Sequence, residues 1–93
     1  MEFEWDADKE LANIQKHKVA FGEAIETFFD AKGFQLVDRK HSAGEPRFYW
    51  IGKSGQGRVL TTWFAKRGSM IRIIGSAEWR QFRRLYNETT EAK

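Results

Sequence analysis

The chain of 93 residues contains no cysteine, one proline and two histidines. Without cysteine there is no disulfide and no thiolate chemistry, and no zinc site of the Cys or mixed Cys–His kind. No apolar run approaches the ~18 residues of a membrane-spanning helix. The acidic first residues, MEFEWDADKE, lack the features of a signal peptide. We therefore expect a cytoplasmic protein that does not enter a membrane.

The rest of the composition is typical of an ordered globular protein. Hydrophobic residues make up 41% of the chain and aromatic residues 15%, which is too much for a disordered segment. A chain of 93 residues suffices for one hydrophobic core but not for two. We find no repeat and no low-complexity segment, and we expect a single domain over residues 1–93.

Positive charge is concentrated in the later part of the chain. Residues 33–93 carry twelve Lys and Arg residues against five acidic residues, whereas residues 1–32 carry four against eight. The net charge of +3 therefore hides a strongly basic region, in which aromatic residues are interspersed. A folded surface with this much charge of one sign repels itself unless a polyanion neutralises it. Nucleic acid is thus the first candidate for a partner.

The first third of the chain has helical periodicity. Residues 1–5 alternate apolar and acidic side chains, which is typical of a short edge strand or an extended arm. Asp6 is a suitable N-cap for a helix over residues 7–17, in which apolar residues recur at helical spacing. Residues 21–31 have apolar side chains at i, i+3, i+4, i+7 and i+8, which predicts a second, amphipathic helix. Gly33 is expected to stop it.

From residue 34 onward the apolar period changes to two. We predict strands at residues 34–39, 46–53, 58–65 and 70–75, and a last helix at residues 77–86. Turn sequences at residues 54–57 and 66–69 join the last three strands as an antiparallel meander. The sequence thus predicts an α+β fold. Two N-terminal helices pack on an antiparallel four-stranded sheet, with or without a short N-terminal edge strand, and a C-terminal helix follows.

Alternation along the strands separates two faces of this sheet. Arg47 and Tyr49 point to the face opposite to Phe48 and Trp50. Arg72 lies in mid-strand, where an unpaired buried charge would cost several kcal/mol, so its side chain must reach water, an acid or a phosphate. We hypothesise that helices cover one face of the sheet, and that Arg47, Tyr49 and Arg72 help to line the other, open face.

Short residue groups occur in a characteristic order along nearly the whole chain. They are Phe3–Asp6; Asn13, Lys16-His17, Val19 and Phe21, as in N-x-x-K-H-x-V-x-F; Asp38, His41-Ser42, Glu45 and Arg47, as in D-x-x-H-S-x-x-E-x-R; and Gly57–Leu60, Arg67-Gly68 and Arg72–Ile74. No single group is specific, but their order and spacing are. In these respects the chain resembles the BrnT family, the toxins of the BrnT/BrnA type II toxin–antitoxin systems.

The resemblance implies a fold similar to RelE ribonucleases and a toxin that cleaves RNA without a metal or other cofactor. The expected reaction is in-line attack of a ribose 2′-hydroxyl on the neighbouring phosphate. Such a site needs a group that takes the 2′ proton, a cation at the phosphate and a proton donor to the leaving 5′ oxygen. Acid–base help contributes ~10²–10⁴-fold, and the planar fork of Arg binds two phosphate oxygens.

The two histidines are candidates for proton transfer. Lys16 and His17, at the end of the first predicted helix, are our candidate catalytic pair, because an imidazole gains and loses a proton near neutral pH. The alternative is that both residues simply complement the helix dipole. For His41, in a polar loop, the alternative to catalysis is a hydrogen bond to Asp38 or Glu45.

Basic and aromatic residues elsewhere complete the expected site. Arg47, Arg72 and Arg83 are predicted to act in catalysis at the phosphate, and an ion pair with Glu45 or Glu78 is the alternative for the first two. The predicted nucleic-acid-binding residues are Tyr49, Arg58, Arg80, Arg84 and Tyr86. The alternatives are a solvated helix face for the arginines of the last helix and core packing for the tyrosines.

The resemblance also implies partners. A BrnA-like ribbon-helix-helix antitoxin is expected to cover the basic face, RNA is the expected substrate, and operator DNA is bound only through the toxin–antitoxin complex. We therefore expect a ribonuclease toxin that inhibits translation and that this antitoxin neutralises.

Departures from the family pattern leave an alternative function open. Glu78 stands where the family usually has an arginine, and Phe82 replaces a glutamate in the last helix, so this part of the chain has fewer charged groups. The alternative is a catalytically degenerate module that binds antitoxin and RNA without cleaving the RNA.

Overall fold

The computed structural model describes residues 1–91; residues 92 and 93, the end of the expected domain, lie outside the described residues. The strands and helices within residues 1–91 are β1 (Glu2–Glu4), α1 (Ala7–His17), α2 (Phe21–Glu26), β2 (Phe34–Val37), β3 (Arg47–Lys53), β4 (Val59–Arg67), β5 (Met70–Ala77) and α3 (Arg80–Glu91). Short 3₁₀ turns follow α2 at Thr27–Phe29 and β2 at Arg39–His41. In this part of the chain every helix is too short or too polar to cross a bilayer.

The strands form one mixed sheet in the order β1-β5-β4-β3-β2. The pairs from β2 to β5 are antiparallel, whereas β1 lies parallel to β5. The predicted α+β class and meander are confirmed, and the four-stranded antiparallel sheet is corrected to a five-stranded mixed one. The alternation of apolar and acidic residues in β1 explains why this strand joins the sheet. On one face the Phe3 ring packs against Phe28, with ring centroids 5.2 Å apart, and on the other face Glu4 pairs with Arg72.

Specific hydrogen bonds form at the start of α1 and at the end of α2. Asp6 caps α1 by accepting two backbone N–H groups of its first turn, so α1 has its predicted bounds. α2 is shorter than predicted. It ends at Glu26, where the chain tightens into a 3₁₀ turn, instead of running to residue 31. The Thr27 carbonyl accepts two N–H groups, that of Asp30 at 3.2 Å, which closes the 3₁₀ turn, and that of the Trp50 indole at 2.6 Å, so both of its acceptor positions are occupied.

The junction between β5 and α3 also differs from the prediction. β5 runs to Ala77, and α3 begins at Arg80 instead of residue 77. The buried Asn13 of α1 explains the longer strand. Its amide donates to the carbonyls of Val19 and Ser76, at 2.8 and 2.9 Å, and its oxygen accepts the Ser76 N–H at 3.1 Å. Ser76 is thereby held in the sheet, because a buried polar group left unpaired costs about 1–3 kcal/mol.

Two apolar clusters lie on opposite faces of the sheet. The first, beneath α2, is built around Phe21, Phe64, Ile71 and Ile73. The second, beneath α3, is built around Ile51, Val59 and Tyr86. The hypothesis of one open face is therefore corrected. α3 covers part of that face, which we call the α3 face, and the part that holds Arg47 and Arg72 remains partly exposed.

Tyr86 anchors α3 in the second cluster and allows a test of this packing. Its hydroxyl donates to Asp30 at 2.5 Å, and burial, together with this carboxylate, raises the pKa of Tyr86 to about 12. The unfolded chain releases the Tyr86 proton near pH 10 and the folded chain does not, so stability falls as the pH rises through this window. We expect the free energy of unfolding, measured with urea, to fall by about 2–3 kcal/mol between pH 10 and 12.

The variant Tyr86→Phe removes the titrating group and serves as the control. It lacks one hydrogen bond, which costs about 1 kcal/mol, but its ring stays in the cluster. The parent protein should therefore lose its advantage of about 1 kcal/mol as the pH rises above 10 and become the less stable of the two near pH 12. Tyr49, the other tyrosine of the chain, remains in both proteins and cancels in this difference. A constant difference across the alkaline range would contradict the buried position of Tyr86.

Candidate active site

The loop that joins β2 to β3 is held in shape by hydrogen bonds around Asp38. The Asp38 N–H donates to the Arg47 carbonyl at 2.9 Å. The Ser42 hydroxyl donates to the Asp38 carbonyl at 2.5 Å and accepts the Arg47 N–H at 3.1 Å. Gly44 turns the chain with a φ of +83°, a conformation that favours glycine. The closed loop brings His41 and Arg47 into the lining of one pocket.

Asp38 and His41 form a carboxylate–imidazole pair in this loop. Asp38 is almost completely buried, at 6% exposed, whereas the His41 side chain is 54% exposed. The His41 Nδ1 atom lies 3.2 and 3.0 Å from the two carboxylate oxygens, a geometry that assigns the Nδ1 proton to this contact. The Nε2 atom is then the one that can exchange a proton with a ligand.

The pair lines a pocket of about 240 Å³ on the α3 face. Its other walls are Arg47 and Tyr49 from β3, Trp63 from β4 and Trp79, which directly precedes α3. Burial, and then the nearby Asp38 carboxylate, raise the pKa of Tyr49, so its hydroxyl keeps its proton at neutral pH. The pocket thus combines an imidazole, a guanidinium and a phenol with aromatic walls.

Two stacked indole rings form the main aromatic wall. Trp63 and Trp79 lie nearly parallel, at 10°, with ring centroids 4.8 Å apart. Trp63 lies so close to Gly75, its partner in β5, that a Cβ atom at this position would be 2.2 Å from the ring. Only glycine fits there in the presence of Trp63. The register between β4 and β5 shifts next to Trp63, as at a β-bulge.

Arg47 and Arg72 flank Ala65 on the α3 face. Ala65 of β4 pairs with Arg47 on one side and with Arg72 on the other, and neighbouring strands lie about 4.8 Å apart. The Arg72 guanidinium is 3.5 Å from the Glu4 carboxylate of β1. Arg72 is therefore in an ion pair, but with Glu4 instead of Glu45 or Glu78. An exposed pair of this kind contributes only ~0–1 kcal/mol, and a phosphate can replace the carboxylate.

The acids considered as partners for these arginines bind other side chains. Glu45 pairs with Arg67 at 2.8 Å, and hydrogen bonding to Arg67 lowers the pKa of Glu45. Glu78 pairs with Arg58 at 2.9 Å. Among the described residues, Arg47 has no carboxylate oxygen within 4.0 Å. Its guanidinium is therefore available to an anion in the pocket.

Lys16 and His17 lie at the end of α1, in a separate recess that shares Trp63 with the pocket. The His17 ring meets Trp63 edge-on, with centroids 5.8 Å apart. Burial, and then the Lys16 charge, lower the pKa of His17 below 6.5. The His17 ring is therefore neutral at neutral pH and adds no positive charge to the surface.

The three arginines of α3 lie outside the pocket lining. Arg80, Arg83 and Arg84 are all exposed, and Arg80 directly follows Trp79 in sequence. Arg84 lines a separate recess along α3, with Phe82 and Glu88.

Arg58 and Tyr86 are engaged inside the protein, away from the pocket lining. Arg58 pairs with Glu23 and Glu78 and donates to the Lys18 carbonyl at 3.1 Å. Tyr86 is 3% exposed and belongs to the second apolar cluster. Of the predicted site residues, the structure therefore brings Arg47 and Tyr49 together in the pocket, with Arg72 two strands away. Arg58 and Tyr86 lie outside the pocket.

Four residues of the pocket, Asp38, His41, Trp63 and Trp79, were not among the predicted catalytic and nucleic-acid-binding residues. The sequence pattern placed His41 in a polar loop with Asp38 as a possible hydrogen-bond partner. The signal for a site there was the D-x-x-H group just before the strand that carries Arg47 and Tyr49. Trp79 carried no such signal, because its position depends on how α3 packs on the sheet. Within residues 1–91, no three His, Asp or Glu side chains are arranged as metal ligands.

The fold and this pocket define a small α+β protein with a basic, aromatic-lined site on one face of its sheet. The family model described as the ribonuclease toxin, BrnT, of type II toxin–antitoxin systems matches residues 5–81. The chain belongs to this BrnT family of ribonuclease toxins, and the resemblance that the order of its residue groups indicated is confirmed.

A solved structure has the same fold. The crystal structure of the Brucella abortus ribonuclease toxin, BrnT, matches with a TM-score of 0.66 and 24% sequence identity. The match covers 87% of this chain and 99% of that chain, so nearly the whole fold is shared. A comparison with curated protein sequences finds no match.

Proposed function

We propose that this protein is a metal-independent endoribonuclease that stops translation by cutting RNA in the cytoplasm. Its family supports this function, and the observation that carries it is the pocket in which the Asp38–His41 pair meets Arg47 and Tyr49. Cleavage by an internal hydroxyl needs a group that exchanges a proton, a fixed positive charge and a hydrogen-bond donor. These side chains supply all three.

His41 takes the proton of the attacking ribose 2′-hydroxyl through Nε2. Asp38, 3.0 Å from Nδ1, holds the ring and stabilises the positive charge that it acquires. The 2′ oxygen forms a bond to phosphorus, and the bond from phosphorus to the 5′ oxygen breaks. The 5′ oxygen takes a proton from water as it leaves, and the His41 imidazolium returns its proton to the hydroxide that remains. The products are a 2′,3′-cyclic phosphate and a free 5′-hydroxyl.

Arg47 and Tyr49 bind the reacting phosphate. The guanidinium of Arg47 contacts the two non-bridging oxygens, and the protonated hydroxyl of Tyr49 donates to one of them. A fixed donor at an oxygen that gains charge is typically worth about 3–4 kcal/mol in the transition state. Because Arg47 has no carboxylate partner among the described residues, it breaks no ion pair when RNA binds.

Further basic residues bind phosphates on either side of the cleaved bond. These residues are Lys16, Arg72, Arg80, Arg83 and Arg84. Each phosphate contact adds about one unit to the slope of log K against log salt concentration. His17, which is neutral, supports Trp63, and Arg58 and Tyr86 stabilise the fold.

The protein partner is a BrnA-like ribbon-helix-helix antitoxin. It covers the basic part of the α3 face when it neutralises the toxin, and operator DNA is bound only through the complex of the two proteins. A downstream reading frame that overlaps this gene and encodes a ribbon-helix-helix protein would support this partner.

The second candidate function is a module that binds antitoxin and RNA but has lost cleavage. Glu78 favours it, because the family usually has an arginine at this position. However, Glu78 pairs with Arg58 outside the pocket, so the substitution leaves His41, Arg47 and Tyr49 in place. This arrangement supports cleavage over loss of activity.

We expect the purified protein to cut single-stranded RNA in the presence of EDTA. The 2′-hydroxyl is the nucleophile, so a strand of DNA or of 2′-O-methyl RNA with the same sequence should stay intact. Mass spectrometry of the fragments should find a 2′,3′-cyclic phosphate on one and a 5′-hydroxyl on the other. Induced expression in bacteria should arrest growth, and co-expression of the antitoxin should restore it.

Two variants serve as controls for this experiment. Arg47→Ala is expected to reduce cleavage about 10²–10³-fold, whereas Arg39→Ala, in the exposed part of the same loop, should cleave like the parent protein. Cleavage that depends on an added metal would contradict the proposed mechanism. Intact RNA together with unaffected growth would favour the second candidate function.

A further inference from the structure

The pocket has more aromatic wall than the cleavage chemistry uses. Trp63, Trp79 and the ring of Tyr49 all line it, and no ring surface takes part in proton transfer. Each of these residues is only partly buried, so ring surface is left in contact with the interior of the pocket. Partly exposed aromatic rings in a concave site are typical of residues that bind a ligand by stacking.

We infer that this wall is a subsite for one unpaired nucleobase of the RNA strand, which stacks on Trp79 while the adjoining phosphate lies at Arg47. The inference rests on the proposed function, of which it names one substrate contact. Every base has a π face, and unpaired bases of single-stranded RNA are free to stack on aromatic side chains. The subsite therefore favours single strands and tolerates different bases.

The dimensions of the pocket suit a single base. Its volume is about 240 Å³, which is below the ~300–1,000 Å³ of pockets that enclose larger organic ligands. Arg47 lines the same pocket, so that one nucleotide can place its base and its phosphate on the two kinds of side chain together. The position of the base then decides which phosphate meets His41.

Trp63 gives the wall a rigid inner layer. One side of its ring lies against Gly75, and Trp79 stacks on it with centroids 4.8 Å apart. The His17 ring meets it edge-on. A platform that is already ordered loses little conformational entropy when a ligand binds.

Trp79 is the outer layer, and its backbone is held on both sides. The preceding residue, Glu78, pairs with Arg58 at 2.9 Å. The Trp79 carbonyl accepts the Arg83 N–H at 2.9 Å in the first turn of α3. The Glu78–Arg58 pair and the Arg83 hydrogen bond thus hold the chain on either side of Trp79.

The test measures binding of short 2′-O-methyl RNA strands, which the protein cannot cleave, by fluorescence anisotropy. An abasic nucleotide is moved along the strand one position at a time. We expect one position at which loss of the base weakens binding about 5- to 150-fold. This range corresponds to the free energy of stacking one base on one aromatic side chain. Equal affinity for every abasic strand would overturn the inference, and this result needs no variant protein.

We call the loss of affinity caused by the abasic nucleotide the base penalty. Variants then test whether the base penalty is due to Trp79. With Trp79→Ala, the strands with and without the base should bind equally, whereas Trp79→Phe should keep part of the difference. Phe29→Ala removes an exposed aromatic residue that does not line this pocket and should leave the penalty unchanged. The salt slope should stay the same in Trp79→Ala but fall by about one unit in Arg47→Ala. A base penalty that persists in Trp79→Ala would overturn the assignment.

Two further arms separate this inference from the proposed function. Cleavage of the matching unmodified RNA is measured in parallel. A base penalty without cleavage would support the subsite and reject the nuclease, and cleavage without a penalty would do the opposite. Free nucleoside monophosphates are titrated with Trp fluorescence as the readout. Tight, Trp79-dependent binding of these, with no base penalty in strands, would assign the pocket to a free nucleotide and overturn the inference.

Discussion

Arg58→Ala is expected to lower the free energy of unfolding by about 3–5 kcal/mol, the typical result of removing one partner from a buried ion pair. The partner left behind is Glu23, which is 8% exposed. Arg58 donates to Glu23 through Nε at 3.0 Å and through a second, shorter contact, and Ser54 adds a third donor at 2.8 Å. Without the guanidinium, the carboxylate is buried with only Ser54 to compensate it.

Thermal and urea denaturation measure this effect. For a domain of this size, each kcal/mol corresponds to about 4–8 °C in Tm. Glu78→Gln, which removes the more exposed partner of Arg58, should cost only ~0–1 kcal/mol. The double variant Arg58→Met with Glu23→Gln buries no charge and should recover much of the loss. An Arg58→Ala protein as stable as Glu78→Gln would show that the Glu23 pair does not hold the fold together.

The pH dependence gives an independent check of the same pair. Hydrogen bonding from Arg58 lowers the pKa of Glu23 below its usual 4.5. The pair therefore stabilises the fold above pH 4.5, and this contribution is lost as the pH falls through the lower, folded-state pKa. In Arg58→Ala, protonation of Glu23 removes the unpaired negative charge from the buried site and so stabilises the folded variant. The stability difference between parent and variant should thus narrow in acid, and a difference that widens would contradict the pairing.

His41→Ala is expected to reduce RNA cleavage about 10²–10⁴-fold, the usual contribution of a general acid or base. Removal of the imidazole takes the Nδ1 hydrogen bond away from Asp38, which is 6% exposed, so the free energy of unfolding should fall by about 1–3 kcal/mol, and the rate is compared at a temperature at which both proteins are folded. Single-turnover cleavage in EDTA measures the rate, and binding of uncleavable RNA measures whether the substrate still binds. We expect the rate to fall while binding stays nearly unchanged.

His17→Ala is the matched control for this substitution. It removes the other histidine of the chain, which lies in the neighbouring recess. The rate should fall less than about fivefold, the factor that ~1 kcal/mol corresponds to. Loss of cleavage in His17→Ala with normal cleavage in His41→Ala would move the proton transfer to Lys16 and His17, as the sequence first suggested. Asp38→Asn should resemble His41→Ala in rate, because the ring loses its carboxylate.

Much of the fold was predictable from local signals. The bounds of α1 follow from Asp6 and from the spacing of apolar residues, and the meander follows from alternation and turn residues. The sequence did not predict the end of α2, because the Thr27 carbonyl also accepts the indole N–H of Trp50, 23 residues away. The extension of β5 to Ala77 similarly depends on Asn13, which is 63 residues from Ser76.

The candidate site was predicted less completely than the fold. Arg47 and Tyr49 alternate along one strand, so their common face was predictable. The roles of Arg58 and Tyr86 were not, since only the folded chain brings them to Glu23 and Asp30. The same residue types occur as free surface groups and as buried partners, and spacing alone does not distinguish them.

The sequence by itself determined the order and type of most secondary structure elements, the concentration of positive charge and the family, because these depend on neighbours within a few residues and on motif order. Only the tertiary structure decided that β1 joins the sheet parallel to β5, which carboxylates pair with Arg58, Arg67 and Arg72, and that Trp79 completes a pocket with Asp38 and His41. These outcomes depend on contacts between distant segments, whose geometry is set by the packing of the whole chain.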